Sequence, residues 1–244
     1  KQEDSGPYDS LLNSMLERLE EDFEKQRRFV YDASHELRTP LSVIYGNINM
    51  LSRWGKDNPE VLSRALSTLK HETESMNRLI ENLLFLARHD SNKYTLNKET
   101  FSLNSLLEEV VDETLLIHSD YSVTKICDAE CFLNADYNAI KQVLRILLDN
   151  SIKYSTPPGS INIKGESIDT GILIRVSDKG CGIPQEALPY IFDRFYRVDE
   201  SRTKATGGTG LGLSIAKQIV SSHNGKISVA SEPRIGTEFE IFIP

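Results

Sequence analysis

The chain has 244 residues, enough for one large domain or two modest ones, each with its own core. Charged residues make up 26% and hydrophobic residues 39%, an ordinary balance for a globular protein. The formal net charge of −8 argues against a general nucleic-acid binder and against adhesion to an anionic membrane surface.

No run of about 18 apolar residues is present, so no membrane span is expected within these residues, and no signal peptide is visible. Lys1 in place of Met marks the chain as an expected fragment. Three cysteines, Cys127, Cys131 and Cys181, are too few and oddly numbered for a disulfide framework. Cys127 and Cys131 have a spacing that metal ligands use, but no second Cys or His pair completes a site. Plain thiols in a reducing, cytoplasmic setting are the expectation.

Residues 1–10 are polar, with Gly6 and Pro7, and read as a frayed start. From Leu11 a helical pattern begins, with Leu12, Met15, Leu19 and Phe23 at helical spacing. Val30, Ala33, Leu37, Leu41, Ile44, Ile48 and Leu51 continue it in steps of 3, 4, 4, 3, 4 and 3, close to the period of packed bundles. Pro40 lies inside this pattern and predicts a kink. Gly55 suits a helix C-terminus, Asn58 an N-cap and Pro59 the first position of a second helix. That helix carries Leu62, Ala65, Leu66, Leu69, Met76, Leu79, Ile80, Leu83 and Leu84 on its expected buried side and ends near His89. Two long helices and a short turn make an antiparallel hairpin. One hairpin has little core of its own, so a symmetric dimer giving a four-helix bundle is the economical solution.

After residues 90–98 the pattern changes. Phe101 ends a short strand, and Ser102 or Asn104 caps a helix through about Ile117. Residues 137–153 read as another helix, with Ile140, Val143, Leu144, Leu147 and Leu148 inward. Ile161–Lys164, Gly171–Ser177, Lys226–Ala230 and Thr237–Ile243 read as strands, with Pro233 to Gly236 turning the last two into a hairpin. The fold class is α+β and multidomain: a helical hairpin followed by an α/β sandwich, not a doubly wound parallel sheet.

Five histidines are present, and His35 has a distinctive setting. It lies two residues from both Ala33 and Leu37, roughly 200° around the helix from either. It therefore points away from the seam, into solvent, with Thr39 on the same face at i+4. An exposed neutral imidazole has a free ring lone pair for attack on an electrophile, and Glu36 could hold the other N–H. A solvated surface histidine beside a routine glutamate is equally consistent with this geometry.

Three further stretches have phosphate or base chemistry. Gly207-Gly208-Thr209-Gly210-Leu211-Gly212-Leu213 directly precedes a helix running from Leu211 to about Ser222. Glycines let backbone N–H groups approach phosphates, and a helix N-terminus favours anions. The stretch is not a Walker A sequence, and by itself reads as well as a flexible loop. Asp178-Lys179-Gly180-Cys181-Gly182-Ile183 follows a strand; a strand-end Asp can accept from an adenine amino group, or the stretch is a tight surface turn. Asp149-Asn150-Ser151-Ile152-Lys153-Tyr154 ends a helix. Asn150 offers oxygen to Mg²⁺, Lys153 charge to phosphate and Tyr154 a ring face to a base; a polar helix terminus is the alternative.

Phe29 to Leu41, centred on His35-Glu36-Leu37-Arg38-Thr39-Pro40-Leu41, resembles the H-box of sensor histidine kinases. The three downstream stretches, with Ile191-Phe192-Asp193-Arg194-Phe195-Tyr196-Arg197, resemble in order the N-box, G1 box, F-box and G2 box of that family's ATP-binding domain. The resemblance runs from about residue 11 to 244. It implies a Bergerat-type sandwich shared with gyrase and Hsp90, with ATP and Mg²⁺ as cofactors. It implies His35 as the phosphorylated residue, Glu36 as general base and Thr39 as the positioner of water for dephosphorylation. Asn150 would coordinate Mg²⁺, Asp178 would recognise adenine, Lys153 and Arg197 would meet phosphates, and Tyr154 would line the base. Gly180, Gly182, Gly208, Gly210 and Gly212 would shape the pocket, together with Ile183, Thr209 and Leu211. Residues from about Ile183 to Thr209 would form a mobile lid. Ile146 departs from the family's frequent Asn four residues before Asn150. His71, His89, His118 and His223 match no catalytic position and read as structural or surface residues.

The resemblance divides the chain into a signalling helix from an upstream sensor (1–28), a dimerisation and phosphotransfer hairpin (29–92) and a catalytic ATP-binding domain (98–244). Its implied partners are a second copy, the receiver domain of a response regulator, and the sensor and transmembrane region of a membrane protein whose cytoplasmic portion this would be. No nucleic acid is expected. Two other readings use the same residues: an ATP-holding module whose His35 never turns over, and a gyrase- or Hsp90-type ATPase clamp, which would need no exposed histidine on a helix.

Overall fold

The computed structural model describes residues 6–54, 58–90, 95–128, 131–198 and 208–244. The chain divides into two compact units between Leu83 and Leu84.

Helix α1 spans Gly6–Trp54 and α2 spans Pro59–Asp90. α1 starts ahead of its apolar pattern, because Pro7 in the first turn has no ladder partner to lose. It is helical straight through Pro40, which removes one ladder bond without ending the helix. Asn58 caps α2 as its sequence predicts: its side-chain oxygen accepts from the Glu60 and Val61 N–H groups at 3.0 and 3.3 Å. Gly55 lies outside the described residues.

Within the first unit Ala65 and Leu79 are buried, whereas Leu62, Leu66 and Ile80 of the same predicted face are exposed. On α1, Ala33, Leu37 and Ile44 are half-buried, and Val30, Leu41 and Ile48 are exposed. A two-helix hairpin covers only one stripe of each helix; the rest of an apolar face this wide stays open in a single chain.

The second unit contains β1 (Lys98–Ser102), α3 (Leu103–Ile117), β2 (Tyr121–Cys127), β3 (Phe132–Asp136), α4 (Tyr137–Tyr154), β4 (Gly159–Ile168), β5 (Gly171–Asp178), α5 (Gly212–Ser222), β6 (Lys226–Glu232) and β7 (Gly236–Ile243). Ser102 caps α3 and Asp136 caps α4. β1 and β3 form a small antiparallel sheet; the main sheet has the order β2-β4-β5-β7-β6. The β4–β5 and β6–β7 pairs are antiparallel hairpins, and β2 runs parallel to β4. β2 and β3 were not among the expected strands. β2 alternates half-buried and exposed residues at the sheet edge, so its apolar signal is half-strength.

Alternate residues of the central strands, including Ile161, Ile163, Ile174, Val176, Phe239 and Ile241, are buried. They meet α3, α4 and α5, whose inward residues include Leu107, Leu144, Leu148 and Ile215. This is the expected two-layer sandwich. α3 and α4 are also clamped by charge. The Lys141 ammonium donates to Glu109 at 2.5 Å and Glu113 at 2.9 Å, and Arg145 donates to Glu113 at 2.6 Å. These contacts, with the Tyr137 hydroxyl donating to Glu109, hold the Glu109 and Glu113 carboxyls below the usual carboxylate range. They fix the helix whose last turn carries Asn150 and Lys153.

Candidate functional site

The first unit presents His35. It is exposed, as the helical arithmetic predicts, with Ala33 and Leu37 half-buried on either side. The Tyr31 ring lies against the imidazole, centroids 4.5 Å apart and planes tilted by 57°. Glu36 is half-buried and Thr39 exposed. The Thr39 hydroxyl donates to the His35 carbonyl at 3.5 Å, so it stays beside the histidine's own turn. The two π faces of an imidazole are not its reactive edge. A ring leaning on one face leaves the in-plane nitrogen lone pair open.

In the second unit the last turn of α4 and the end of β5 meet. The Asp178 carboxylate accepts from the Gly180 N–H at 2.8 Å through Oδ1 and from the Ser151 hydroxyl at 3.0 Å through Oδ2. Burial pushes its proton affinity up, against the pull of those two donors and of the Thr237 N–H. The Cys181 N–H donates to the Tyr154 carbonyl at 3.0 Å, tying the glycine loop to the helix end. Gly180 is obligatory here: a Cβ would stand 2.6 Å from the Tyr154 carbonyl oxygen and 2.8 Å from Asp178 Oδ1. Gly182 has a φ of +67° and would drive a Cβ into the Glu232 carbonyl. Ile183 is held through its N–H, which donates to the Ser231 hydroxyl at 2.8 Å.

Lys153 and Tyr154 follow on the same turn, the ammonium 5.2 Å from the Tyr154 ring centroid. Burial, and then the like charge of Arg197, lowers the Lys153 proton affinity. Burial, and then Cys181, raises that of the Tyr154 hydroxyl. The Lys153 ammonium also occupies the space where a side chain at Gly208 would lie. So Asn150, Lys153, Tyr154, Asp178, Gly180, Arg197 and Gly208 gather at one end of the sheet. Asn150 is half-buried there.

Gly210 has a φ of +73°, and a Cβ would lie 2.7 Å from the Phe195 carbonyl carbon. Phe195 itself has a φ of 63°, a left-handed conformation costly for an aromatic residue, and its N–H donates to the Gly210 carbonyl at 3.0 Å. Thr209 is half-buried, and the buried Leu211 stands at the N-cap of α5 without a side-chain cap bond. The first N–H groups of α5 therefore have no capping side chain. A Cβ on Gly212 would be 3.2 Å from Ile146 Cγ2, so Ile146 supplies packing under the start of α5. Gly207 and residues 199–206 of the expected lid lie outside the described residues.

Sequence reasoning passed over three residues. Ser151 lies within the Asp149–Tyr154 stretch but was assigned no role there, because its hydroxyl finds Asp178 only through the fold. Thr237 lies opposite Asp178 in the β5–β7 register. Tyr31 is four residues before His35, a spacing that on a helix could have raised it. Of the remaining histidines, His223 is buried: its Nε2 accepts from the Asp136 N–H at 3.0 Å, so Nδ1 carries the hydrogen donated to the Ile219 carbonyl at 2.8 Å. His89 is also buried, its ring 4.4 Å from that of Phe85.

Two family profiles match the sequence. One, described as His Kinase A (phospho-acceptor) domain, matches residues 25–92. The other, described as histidine kinase-, DNA gyrase B- and HSP90-like ATPase, matches residues 135–244. The signal transduction histidine-protein kinase ArlS of Staphylococcus epidermidis is 41% identical over 234 residues, covering 96% of this chain and 51% of that protein. ArlS of Staphylococcus aureus is 39% identical over 233 residues, covering 95% and 52%. The chain thus spans about half the length of the curated relatives it matches. Among solved structures, the catalytic domain of histidine kinase ThkA is 32% identical with a TM-score of 0.53, covering 61% of this chain and 95% of that one. ThkA in complex with response regulator protein TrrA is 27% identical with a TM-score of 0.69, covering 93% and 66%. A phospho-acceptor segment that includes His35, an ATPase-type domain later in the sequence and these relatives place the chain in the family of sensor histidine kinases.

Proposed function

We propose that this chain phosphorylates itself on His35 from ATP and passes the phosphoryl group to an aspartate of a response-regulator receiver domain. The observation that carries the reading is the gathering of Asp178, Lys153 and the α5 N-terminus at one end of the sheet. Asp178 is a half-buried acceptor suited to an adenine amino group. Lys153 and Arg197 are neighbouring cations whose repulsion a polyphosphate would offset. The N–H groups at the start of α5 face anions as helix N-termini do.

The neutral His35 ring nitrogen attacks the γ-phosphorus; the N–P bond forms as the bond to the ADP oxygen breaks. The proton on the other ring nitrogen passes to Glu36. Positioning and charge stabilisation supply most of the rate. Asn150 would hold Mg²⁺ through a hard amide oxygen on a half-buried turn, and the apolar Ile146 would add no ligand. Bound Mg²⁺ would offset charge on the β- and γ-phosphates. Tyr154, Gly182, Ile183, Gly208, Thr209, Gly210, Leu211 and Gly212 would complete the nucleotide pocket.

The domain division proposed is 1–28, 29–92 and 98–244. The open apolar stripes of α1 and α2 support a homodimer, in which a second copy covers Leu41, Ile48, Leu62 and Leu66. The crystallised pairing of ThkA with TrrA supports a receiver-domain partner. The ArlS relatives extend well beyond the span matched, which supports an upstream sensor region and a cytoplasmic place for this part. Among the described residues no helix is long and apolar enough to cross a membrane. Thr39, held beside His35, supports a second activity that removes phosphate from the regulator.

Incubation with γ-labelled Mg·ATP tests the reading. The label should be acid-labile and base-stable, and absent from His35→Gln. Equal labelling of His35→Gln rules His35 out; nucleotide binding with no labelling of either protein favours a binding module.

A further inference from the structure

Hydroxyls in the helices of this protein have a common habit. Ser34, Ser42, Ser52, Thr73 and Thr114 each donate to the carbonyl four residues earlier, at 2.7 to 2.9 Å. Ser151 does not follow it. A hydroxyl has one hydrogen, and Ser151 sends it to Asp178 Oδ2, 27 residues away, not to the Leu147 carbonyl. Ser151 is also fully buried, so no water competes for that hydrogen at the protein surface. The polar partner of its hydroxyl is that carboxylate.

We infer that Ser151 is a positioning residue for purine discrimination: its hydroxyl, with the Gly180 N–H, locks Asp178 as a pure acceptor, so that the site takes a 6-amino purine and rejects a 6-oxo purine. This inference rests on the reading of Asp178 as the adenine contact. The chemistry is a matter of proton location. An ionised carboxylate can only accept, which suits the amino group of adenine. A protonated carboxyl can donate, which suits the 6-oxo group of hypoxanthine or guanine. Burial favours the protonated form; the donors from Ser151, Gly180 and Thr237 oppose it. Gly180 and Thr237 give backbone N–H groups, which no change of side chain short of proline removes. Ser151 is the one side chain among these three donors, so its contribution is the one a side-chain substitution removes. The titratable side chains at the same end of the sheet include Asp149, Lys153 and Tyr154 on α4, Lys179 and Cys181 in the loop after β5, Arg197, Glu232 at the end of β6 and Arg234 in the turn after it. None is changed by substituting Ser151.

The test uses the full chain with Mg·ADP and Mg·IDP as probes, titrated calorimetrically at pH 7. Ser151→Ala removes the donor; Ser151→Cys keeps the side-chain shape, slightly enlarged, and weakens the donor. The ratio of ADP to IDP affinity should fall about tenfold in Ser151→Ala, the size of one charge-assisted hydrogen bond, and fall in Ser151→Cys as well. The inference is overturned if either variant keeps the parental ratio within about twofold. It is equally overturned if both nucleotides weaken in the same proportion, which is what a packing role alone would do. Asp178→Asn is the separate control. If it keeps the parental preference for ADP, the reading of Asp178 itself is wrong, whatever Ser151 does.

Discussion

The Tyr31 ring rests against the His35 imidazole at 4.5 Å between centroids, one helical turn before it. An exposed histidine would otherwise sample several rotamers. An aromatic neighbour at i−4 narrows that choice while leaving the ring edge open. Tyr31→Ala should therefore lower the single-turnover phosphorylation rate by about three- to tenfold at saturating ATP, the cost of a less organised nucleophile. Tyr31→Phe should keep the rate within about twofold, and neither variant should move the ATP concentration for half-saturation. A rate unchanged in Tyr31→Ala would leave the stacking without function.

Partial burial, and then the like charge of Arg197, pull the proton affinity of Lys153 below that of an ordinary lysine. A neutral Lys153 gives less to phosphate. Mg·ADP affinity should fall on the alkaline side, starting below the ordinary lysine range. Lys153→Arg, which stays charged throughout, should flatten that limb. Binding isotherms between about pH 7 and 10 check this; a parent with a flat profile would contradict it.

Two glycines predict opposite outcomes. Gly180→Ala puts a methyl 2.6 Å from the Tyr154 carbonyl oxygen, and the backbone must shift. It should weaken nucleotide binding by tenfold or more and cost about 1–3 kcal/mol in stability. A Cβ on Gly46 meets nothing within 4 Å in α1. Gly46→Ala should stabilise the helix by about 0.5–1 kcal/mol. Thermal unfolding of the two variants reads both signs.

His223 couples the start of α4 to the end of α5 in its neutral form. Burial lowers its proton affinity below the ordinary value; the Ile219 carbonyl opposes that, Lys98 adds to it and Asp136 opposes it. A group depressed in the folded state contributes stability that is fully present above its unfolded value and is lost as pH falls through the folded one. The window is therefore the acid side of about pH 6.5. The sheet domain's melting temperature should fall there. His223→Leu should begin about 1–3 kcal/mol less stable, with the Asp136 N–H left unpaired, and show a shallower acid slope. Parallel slopes for the two proteins would reject this role.

Much of the fold was legible because its signals are local. Asn58 and Ser102 announce helix starts through bonds to N–H groups two or three residues on. The position of His35 follows from helical geometry alone, and the Pro233–Gly236 turn from backbone preference. β2 was not legible: as an edge strand it alternates half-buried and exposed residues, and its parallel partner β4 begins 38 residues later at Gly159↔Tyr121. The exposure of Leu62, Leu66 and Ile80 in a single chain was not legible, because an apolar stripe in sequence does not say whether its partner belongs to the same chain.

By itself the sequence determined the helices, most of the strands, the exposed histidine and the order of its glycine-rich stretches, since each depends on periodicity or on neighbours within a few residues. Tertiary structure alone decided which groups face one another. It turned the Ser151 hydroxyl away from its own helix to Asp178, and it set His223 against the Asp136 N–H, 87 residues away. Such pairings arise when the sheet and its helices close around a shared core, and no local preference of Ser or His specifies them.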